Sequence, residues 1–452
     1  MAHITLKHAL VSIIFAFVIY IFSINYQLTI SNIRLIYKPT FYHGKEINKN
    51  FFEGWYYKTV TSNAKESLIV IPGIYKSTSH SDEKSHAFVM VIRGGYECLY
   101  YRYNISEFSV ENGDFTIKIG QNKFNENIIV LSLSSTRLVP STDIEYESYV
   151  NLVVKDWKKI LGRELDPSSL KTSIIKHPYI PYSVRGYISF NNTTPYPFTY
   201  SSPTVMGPFA YIPFLECNHG VVSMSHKSFG MIEFVNMIHN GIVENRIDLE
   251  NGFGYIEKDW GVNFPKSWIW SQSNTFINEV KEDFKSSSIL VSVADFPLIS
   301  PDNPLYNVPY LRNFLSLFRL AGRIIVFYHA KSDITYNFST YDFFSKIVNL
   351  EITMDDFAKQ YVKLHVVNTV NGLNLEIDIM RKVGSGIPLR APSKQFGKMA
   401  LMIEESLDAE LHVKLWKSGE NSKEVIFNDI AVAGGLEIVG DVMQLVNKLT
   451  TR

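Results

Sequence analysis

The 452-residue chain is expected to be all-β and mainly antiparallel, with two β-rich halves behind one hydrophobic N-terminal helix. Three observations carry this expectation. Short apolar or alternating runs recur at strand length along the body, separated by Gly, Pro, Asn and Ser. The chain holds 30 Phe and 26 Tyr, residues that suit pleated, half-buried surfaces. Helical periodicity is confined to a few stretches.

The N-terminal element comes first. No Asp, Glu, Lys or Arg occurs between Lys7 and Arg34, and the apolar heart runs from Ala9 to Ile24. Roughly 20 helical residues span a bilayer core. Residues 1–35 therefore read as a membrane anchor. A cleaved signal peptide is the alternative, but Tyr26-Gln27-Leu28 stand where small residues would be needed. Lys7 on one flank against Arg34, Lys38, Lys45 and Lys49 on the other favours a cytosolic body. Sequons at Asn104, Asn191, Asn192 and Asn337 would act only in a luminal one, so the side stays open. The expected location is an endomembrane such as the ER, crossed once.

In the body, residues 36–245 and 246–452 are predicted to form two β domains. In the first, Ser67–Ile71 reads as a strand ended by Pro72-Gly73, and Ala87–Ile92 as one ended by Gly94-Gly95. Tyr96–Tyr103, Phe115–Ile119, Ile128–Leu133 and Phe229–Val235 follow. In the second, the runs are Ile289–Val293, Gly322–Tyr328, Phe357–Val367, Leu373–Met380 and Glu410–Trp416. Strands at this spacing suit an antiparallel sandwich or barrel. Leu152–Leu161 and Asp441–Leu449 have helical spacing. Pro195–Pro208 and Pro297–Pro309 are expected loops, because proline lacks the ladder donor.

Composition excludes several functions. With 44 basic and 44 acidic residues, the chain lacks the charge that nucleic-acid binding requires. Cys98 and Cys217 are too few for a disulfide framework or a structural zinc site and read as free thiols. There is no HExxH, P-loop, dinucleotide fingerprint or nucleophile elbow.

Four segments carry chemistry-bearing residues: Phe51–Lys58, Met206–Gly220, Tyr255–Gln272 and Ile426–Glu437. In an extended strand, Tyr255, Glu257, Asp259 and Gly261 share one face, and Ile256, Lys258 and Trp260 the other. The two carboxyls then lie roughly 6.5 to 7 Å apart. Walled by Phe264, Trp268 and Trp270, one of them would be desolvated and kept protonated, as an acid catalyst requires. The plainer alternative is a strand end with Glu257 or Asp259 paired to Lys258 or Arg246. Glu53, among aromatic residues, reads as paired with Arg93 or Arg185, or else as a functional carboxyl. Glu216 and His219 form a further acid/base pair near a Gly-Pro loop. His219 and His226 read as surface or satisfied core histidines rather than metal ligands.

The order of these segments resembles the tocopherol cyclase family. That family carries an opening like Phe51-Phe52-Glu53-Gly54-Trp55-Tyr56-Tyr57-Lys58 and a segment like Tyr255-Ile256-Glu257-Lys258-Asp259-Trp260-Gly261. Phe264-Pro265, Trp268, Trp270 and Gln272 then follow at the family's spacing, and Phe427-Asn428-Asp429 with Gly435–Asp441 closes the match. The resemblance runs from about residue 40 to about residue 445. Asp259 departs from it, standing where the family pattern has Asn.

The resemblance implies tandem lipocalin-like domains of the AttH type. It implies an isomerase that closes a chromanol ring from a prenylated benzoquinol, with no metal or redox cofactor. Asp259 or Glu257 would be the proton donor and Glu53 the reserve. Trp55, Tyr57, Tyr255, Trp260, Phe264, Trp268, Trp270, Gln272 and Glu216 would contact the substrate, an apolar molecule reached from the membrane. A lipid carrier without chemistry and an alkene hydratase remain open on the same fold.

Overall fold

Strand alternation decides what each strand buries. In β9 (Tyr182–Asn191), Val184, Ile188 and Phe190 are buried, while Arg185 and Tyr187 face outward. β18 (Lys359–Asn368) behaves alike, with Val362, Leu364 and Val366 inside. Such strands cover a core with one face only. β1 (Phe51–Val60), β12 (Gly252–Gly261) and β13 (Ser267–Ser273) are buried on nearly every residue, so both of their faces are covered. These doubly covered strands hold the site.

The structure, a computed structural model, describes residues 35–48, 50–77, 84–94, 98–111, 115–161, 179–212, 215–239, 241–280, 286–297, 308, 319–355, 359–393, 397–419 and 422–450. Among the described residues, two antiparallel sheets carry the fold. The remaining strands of the first are β2 (Ser67–Lys76), β3 (His86–Arg93), β4 (Leu99–Tyr103), β5 (Phe108–Val110), β6 (Thr116–Ile119), β7 (Asn122–Asn125), β8 (Ile128–Leu133), β10 (Cys217–Asn236) and β11 (Ile242–Asp248). Their order is β4-β3-β2-β1-β12-β10-β9-β8-β7-β6-β5, with β11 also on β10. The second sheet adds β14 (Ser288–Pro297), β15 (Arg319–His329), β16 (Ile334–Asn337), β17 (Ser345–Met354), β19 (Leu373–Lys382), β20 (Ile387–Ser393), β21 (Lys398–Ser418) and β22 (Lys423–Val439). It runs β16-β15-β14-β13-β22-β21-β19-β18-β17, with β20 on β21.

The sheets share one winding. Each begins with a four-strand meander, and its last strand returns to pair with its first: β12 with β1, and β22 with β13. Neither path closes on itself, so the barrel alternative gives way to open sheets. The sheets change between Gly261 and Ser267, because β12 pairs with both β1 and β10. The expected division at 245/246 runs through β11.

Two local expectations change. β2 continues through Pro72-Gly73, opposite a gap in its pairing with β1. The pairing jumps from Gly54↔Gly73 to Tyr57↔Val70, so no donor is asked of Pro72 there. The predicted helix at Leu152–Leu161 is longer, α1 (Asp143–Leu161), and crosses to the other sheet. Its Tyr149, Val153 and Trp157 join the core of the second sheet, with Leu445 and Val446 of a terminal helix (Val442–Thr450). Arg390 on β20 holds Glu145 of α1 through two 3.1 Å hydrogen bonds. The first sheet has its own core, including Trp55, Tyr57 and Ile256.

No helix among the described residues is long and apolar enough to cross a membrane. The expected anchor, up to residue 34, lies outside the described residues, as does most of Pro297–Pro309.

Candidate active site

Where the doubly covered strands of the two sheets meet, a cavity of about 170 Å³ opens between them. Phe52, Phe88, Met90, Phe264, Trp268 and Trp270 are prominent in its apolar lining. Its polar groups come from both walls: His219, Glu257 and Asp259 from the first sheet, Glu405 and Glu437 from the second.

On the first wall, β12 places Glu257 opposite Tyr56 and Asp259 opposite Gly54 of β1. On its other side, β10 sets His219 opposite Asp259. His219 Nδ1 lies 2.8 Å from Asp259 Oδ1, and its Nε2 3.5 Å from Glu257 Oε2. The Tyr255 hydroxyl donates to Glu257 Oε2 at 2.6 Å. Burial pushes Glu257 up to about 7, opposed by His219 and reinforced by the Asp259 charge. Burial works against the His219 imidazolium, but Asp259 and then Glu257 outweigh it and lift His219 to about 9. At neutral pH this wall therefore holds a His219 imidazolium beside Asp259, and a Glu257 able to carry a proton. The same trio brings one ligand atom each to within 4.8 Å of one another, so it could also hold a metal ion.

On the second wall, Glu405 of β21 and Glu437 of β22 are cross-strand partners. Tyr56 donates to Glu405 at 2.5 Å, and the Trp268 indole N–H to Glu437 at 2.7 Å. Burial pushes both carboxyls up to about 8, reinforced at Glu405 by the Glu437 charge and at Glu437, against the Trp268 N–H, by the charges of Glu257 and Asp259. Lys58 crosses between the sheets and donates to Gln272 through its backbone oxygen at 3.0 Å and its side-chain oxygen at 3.1 Å. Burial lowers Lys58 to about 7 against the pull of Glu405 and Glu257.

A family model described as tocopherol cyclase-like matches residues 49–293, more than half of the chain. The chain belongs to the tocopherol cyclase-like family. The probable chloroplastic tocopherol cyclase of Oryza sativa subsp. japonica is 22% identical over 251 residues, covering 52% of this chain and 49% of that one. The chloroplastic tocopherol cyclase of Zea mays is 36% identical over 70 residues, 16% and 13% of the two chains. The match thus spans about half the length of the first relative and less of the second. Among solved structures, CghA with Sch210972 gives a TM-score of 0.43 at 8% identity, covering 86% of this chain and 88% of that one. An AttH-like protein from Nitrosomonas europaea gives 0.35 at 10% identity, with 87% and 93% covered. The expected single-pass endomembrane location is corrected. Both curated relatives are named chloroplastic.

The tocopherol cyclase-like signature segments split by strand parity. Glu257, Asp259, Phe264, Trp268 and Trp270 reach the cavity, and Tyr255 and Gln272 lie directly behind it through Glu257 and Lys58. Glu53, Trp55, Tyr57 and Trp260 point to the opposite face. There Glu53 pairs with Lys258 at 2.5 Å, where Arg93 or Arg185 was expected. Those arginines hold Glu66 and Glu233 instead. Glu53 also accepts the backbone N–H of His43 at 3.0 Å and of Gly44 at 3.1 Å. Burial opposes its ionisation, but Lys258 and His43 prevail and hold it below the usual carboxylate range. The expected pairing of Glu257 or Asp259 with Lys258 or Arg246 is replaced by His219. Trp260 stacks on His43 at 4.2 Å. Tyr57 donates to the Asn125 carbonyl at 3.2 Å. Glu216 is buried outside the cavity lining, with Asn263 Nδ2 at 3.5 Å from its carboxylate. His226 is a core histidine, buried against Phe190 and pushed down to about 3 by desolvation; its Nδ1 lies 2.9 Å from the Ser223 hydroxyl, while its Nε2 has no hydrogen-bond partner among the described residues.

The cavity also uses residues that the sequence reading did not assign to it: His219, Tyr56, Glu405 and Glu437. Glu405 had a signal, since Glu404-Glu405 interrupts an apolar run from Met399 to Leu407.

The second-wall carboxyls leave a measurable trace in stability. Below pH 4.5 they are protonated whether folded or not. Above it the unfolded chain ionises them while the folded wall retains their protons to about 8. The folded state therefore loses stability as pH rises through that window, by up to about 1.4 kcal/mol per unit for each carboxyl. Glu405→Gln is expected to melt progressively higher than wild type from pH 4.5 to about 8, with a constant difference below it. Thermal melts across this range check it; parallel curves throughout would mean the wall does not hold that proton.

Proposed function

We propose that the protein is an isomerase that closes a ring on a prenylated benzoquinol by acid catalysis, with Glu257 as proton donor. The observation that carries this reading is a buried, protonatable Glu257 facing a cavity walled by aromatic rings. Family membership supports it.

The proton of the Glu257 carboxyl passes to the less substituted carbon of the nearest prenyl alkene, whose π pair forms the new C–H bond. The tertiary cation left behind faces Trp268, Trp270 and Phe264, whose ring faces favour positive charge. The quinol oxygen attacks that cation, forming the C–O bond of the chromanol. Its proton returns to the Glu257 carboxylate, so substrate and product are isomers and the enzyme is restored. Asp259 acts indirectly: it holds the His219 imidazolium, and its charge helps keep the proton on Glu257. The apolar lining shields the cation from water, which would otherwise divert it to an alcohol.

The test incubates the protein with farnesyl-hydroquinone and resolves products by chromatography and mass. A product of unchanged mass and shifted retention is expected. A gain of one water would assign a hydratase. Tight binding without conversion would assign a carrier and overturn the reading.

A further inference from the structure

The second wall carries two buried polar atoms that the acid step does not use. Glu405 is fully buried; its Oε1 accepts from Tyr56, and its Oε2 has no hydrogen-bond partner among the described residues. Trp270 is 6% exposed, and its indole N–H likewise has none. Both side chains line the cavity. Trp268, the other tryptophan of this wall, spends its N–H on Glu437.

The two unpaired groups are neighbours. The Tyr56 ring meets Trp270 edge-on at 5.5 Å while its hydroxyl holds Glu405. Glu437 is the cross-strand partner of both Trp270 and Glu405. Both side chains also lie over Gly435, where an added Cβ would stand 2.6 Å from Trp270 Cζ3 and 3.5 Å from Glu405 Oε1. Gly435 thus leaves the room they occupy.

Each buried, unpaired polar group is costly, by about 1–3 kcal/mol. A prenyl tail can satisfy neither, whereas a hydroxyl can satisfy either: its oxygen can accept the Trp270 N–H, and its hydrogen, or the carboxyl's own, can complete a bond to Glu405 Oε2.

We propose that Glu405 and Trp270 form a head-group subsite that binds a ring hydroxyl of the ligand and selects hydroxylated rings over unsubstituted ones. This rests on the cyclase reading of the cavity and adds an orientation to it. The hydroxyl is held on the second-sheet wall, and the alkene of the tail is directed to Glu257 on the first.

The test is calorimetric binding of farnesyl-hydroquinone and of farnesylbenzene, which lacks the hydroxyls, to wild type, Glu405→Leu and Trp270→Phe. Wild type is expected to prefer the hydroquinone by about 10- to 100-fold. That preference should collapse in both variants while farnesylbenzene still binds, which reports an intact cavity. Should the leucine variant fail to fold, Glu405→Gln keeps the Tyr56 acceptor and should show a reduced preference. A wild-type preference retained in the variants, or none in wild type, overturns the subsite. Binding needs no turnover, so the two readings fail separately. A collapsed preference without product removes the cyclase and leaves the subsite, and product with an intact preference does the reverse.

Discussion

Glu257→Gln is expected to lower turnover of a prenylated benzoquinol by about 10²- to 10⁴-fold, the range that positioned acids contribute, while binding stays near wild type. The amide keeps the shape and can still meet Tyr255, but it has no acidic proton for the alkene. The pH profile gives an independent readout. Glu257 must be protonated to act, and burial holds it at about 7. Wild-type turnover should therefore be highest below pH 7 and fall about tenfold per unit above it. Whatever activity remains in the variant should lack that basic limb. Steady-state kinetics from pH 5 to 9 with calorimetric affinities would check both. Wild-type turnover in the variant would transfer the donor role to another carboxyl.

Lys258→Met should produce the largest loss of stability, about 3 to 5 kcal/mol, by leaving Glu53 as an uncompensated buried charge. Lys258 and Glu53 are both fully buried side chains 2.5 Å apart. Lys258 also donates to the carbonyls of Pro39, at 2.9 Å, and Phe41. Its removal thus loosens the segment that precedes β1 as well. Glu53→Gln in the same chain should recover a large part of the loss, because the stranded charge is gone. Denaturant midpoints of the single and double variants measure this. A single variant as stable as wild type would show that the pair is not buried in solution.

The same pair shows how far the sequence could be read. Period-two alternation in Tyr255–Gly261 placed Glu257 and Asp259 on one face and Lys258 and Trp260 on the other, and the strand keeps that parity. The motif suggested Trp260 as a cavity wall, but parity sends it to His43. Parity also puts Glu53 beside Lys258 once β1 pairs with β12. Residue spacing alone could not choose among Arg93, Arg185 and Lys258, because the choice depends on which strands become neighbours. The membrane expectation rested on residues 1–34, outside the described chain, and the chloroplastic relatives speak against the location inferred from it.

What the sequence by itself determined is local: strand-forming runs, the parity of the Glu257 strand and a family signature carried by contiguous residues. These follow from backbone geometry and short-range spacing, which need no knowledge of partners. Only the tertiary structure decided that Glu405 and Glu437 join Glu257, Asp259 and His219 around one cavity. It also decided that α1 serves the second sheet, and that β1, β12 and β13 are covered on both faces. The physical reason is that burial and proton affinity belong to an enclosure. A carboxyl on a strand holds its proton near neutral pH only when a second sheet closes over it and excludes water.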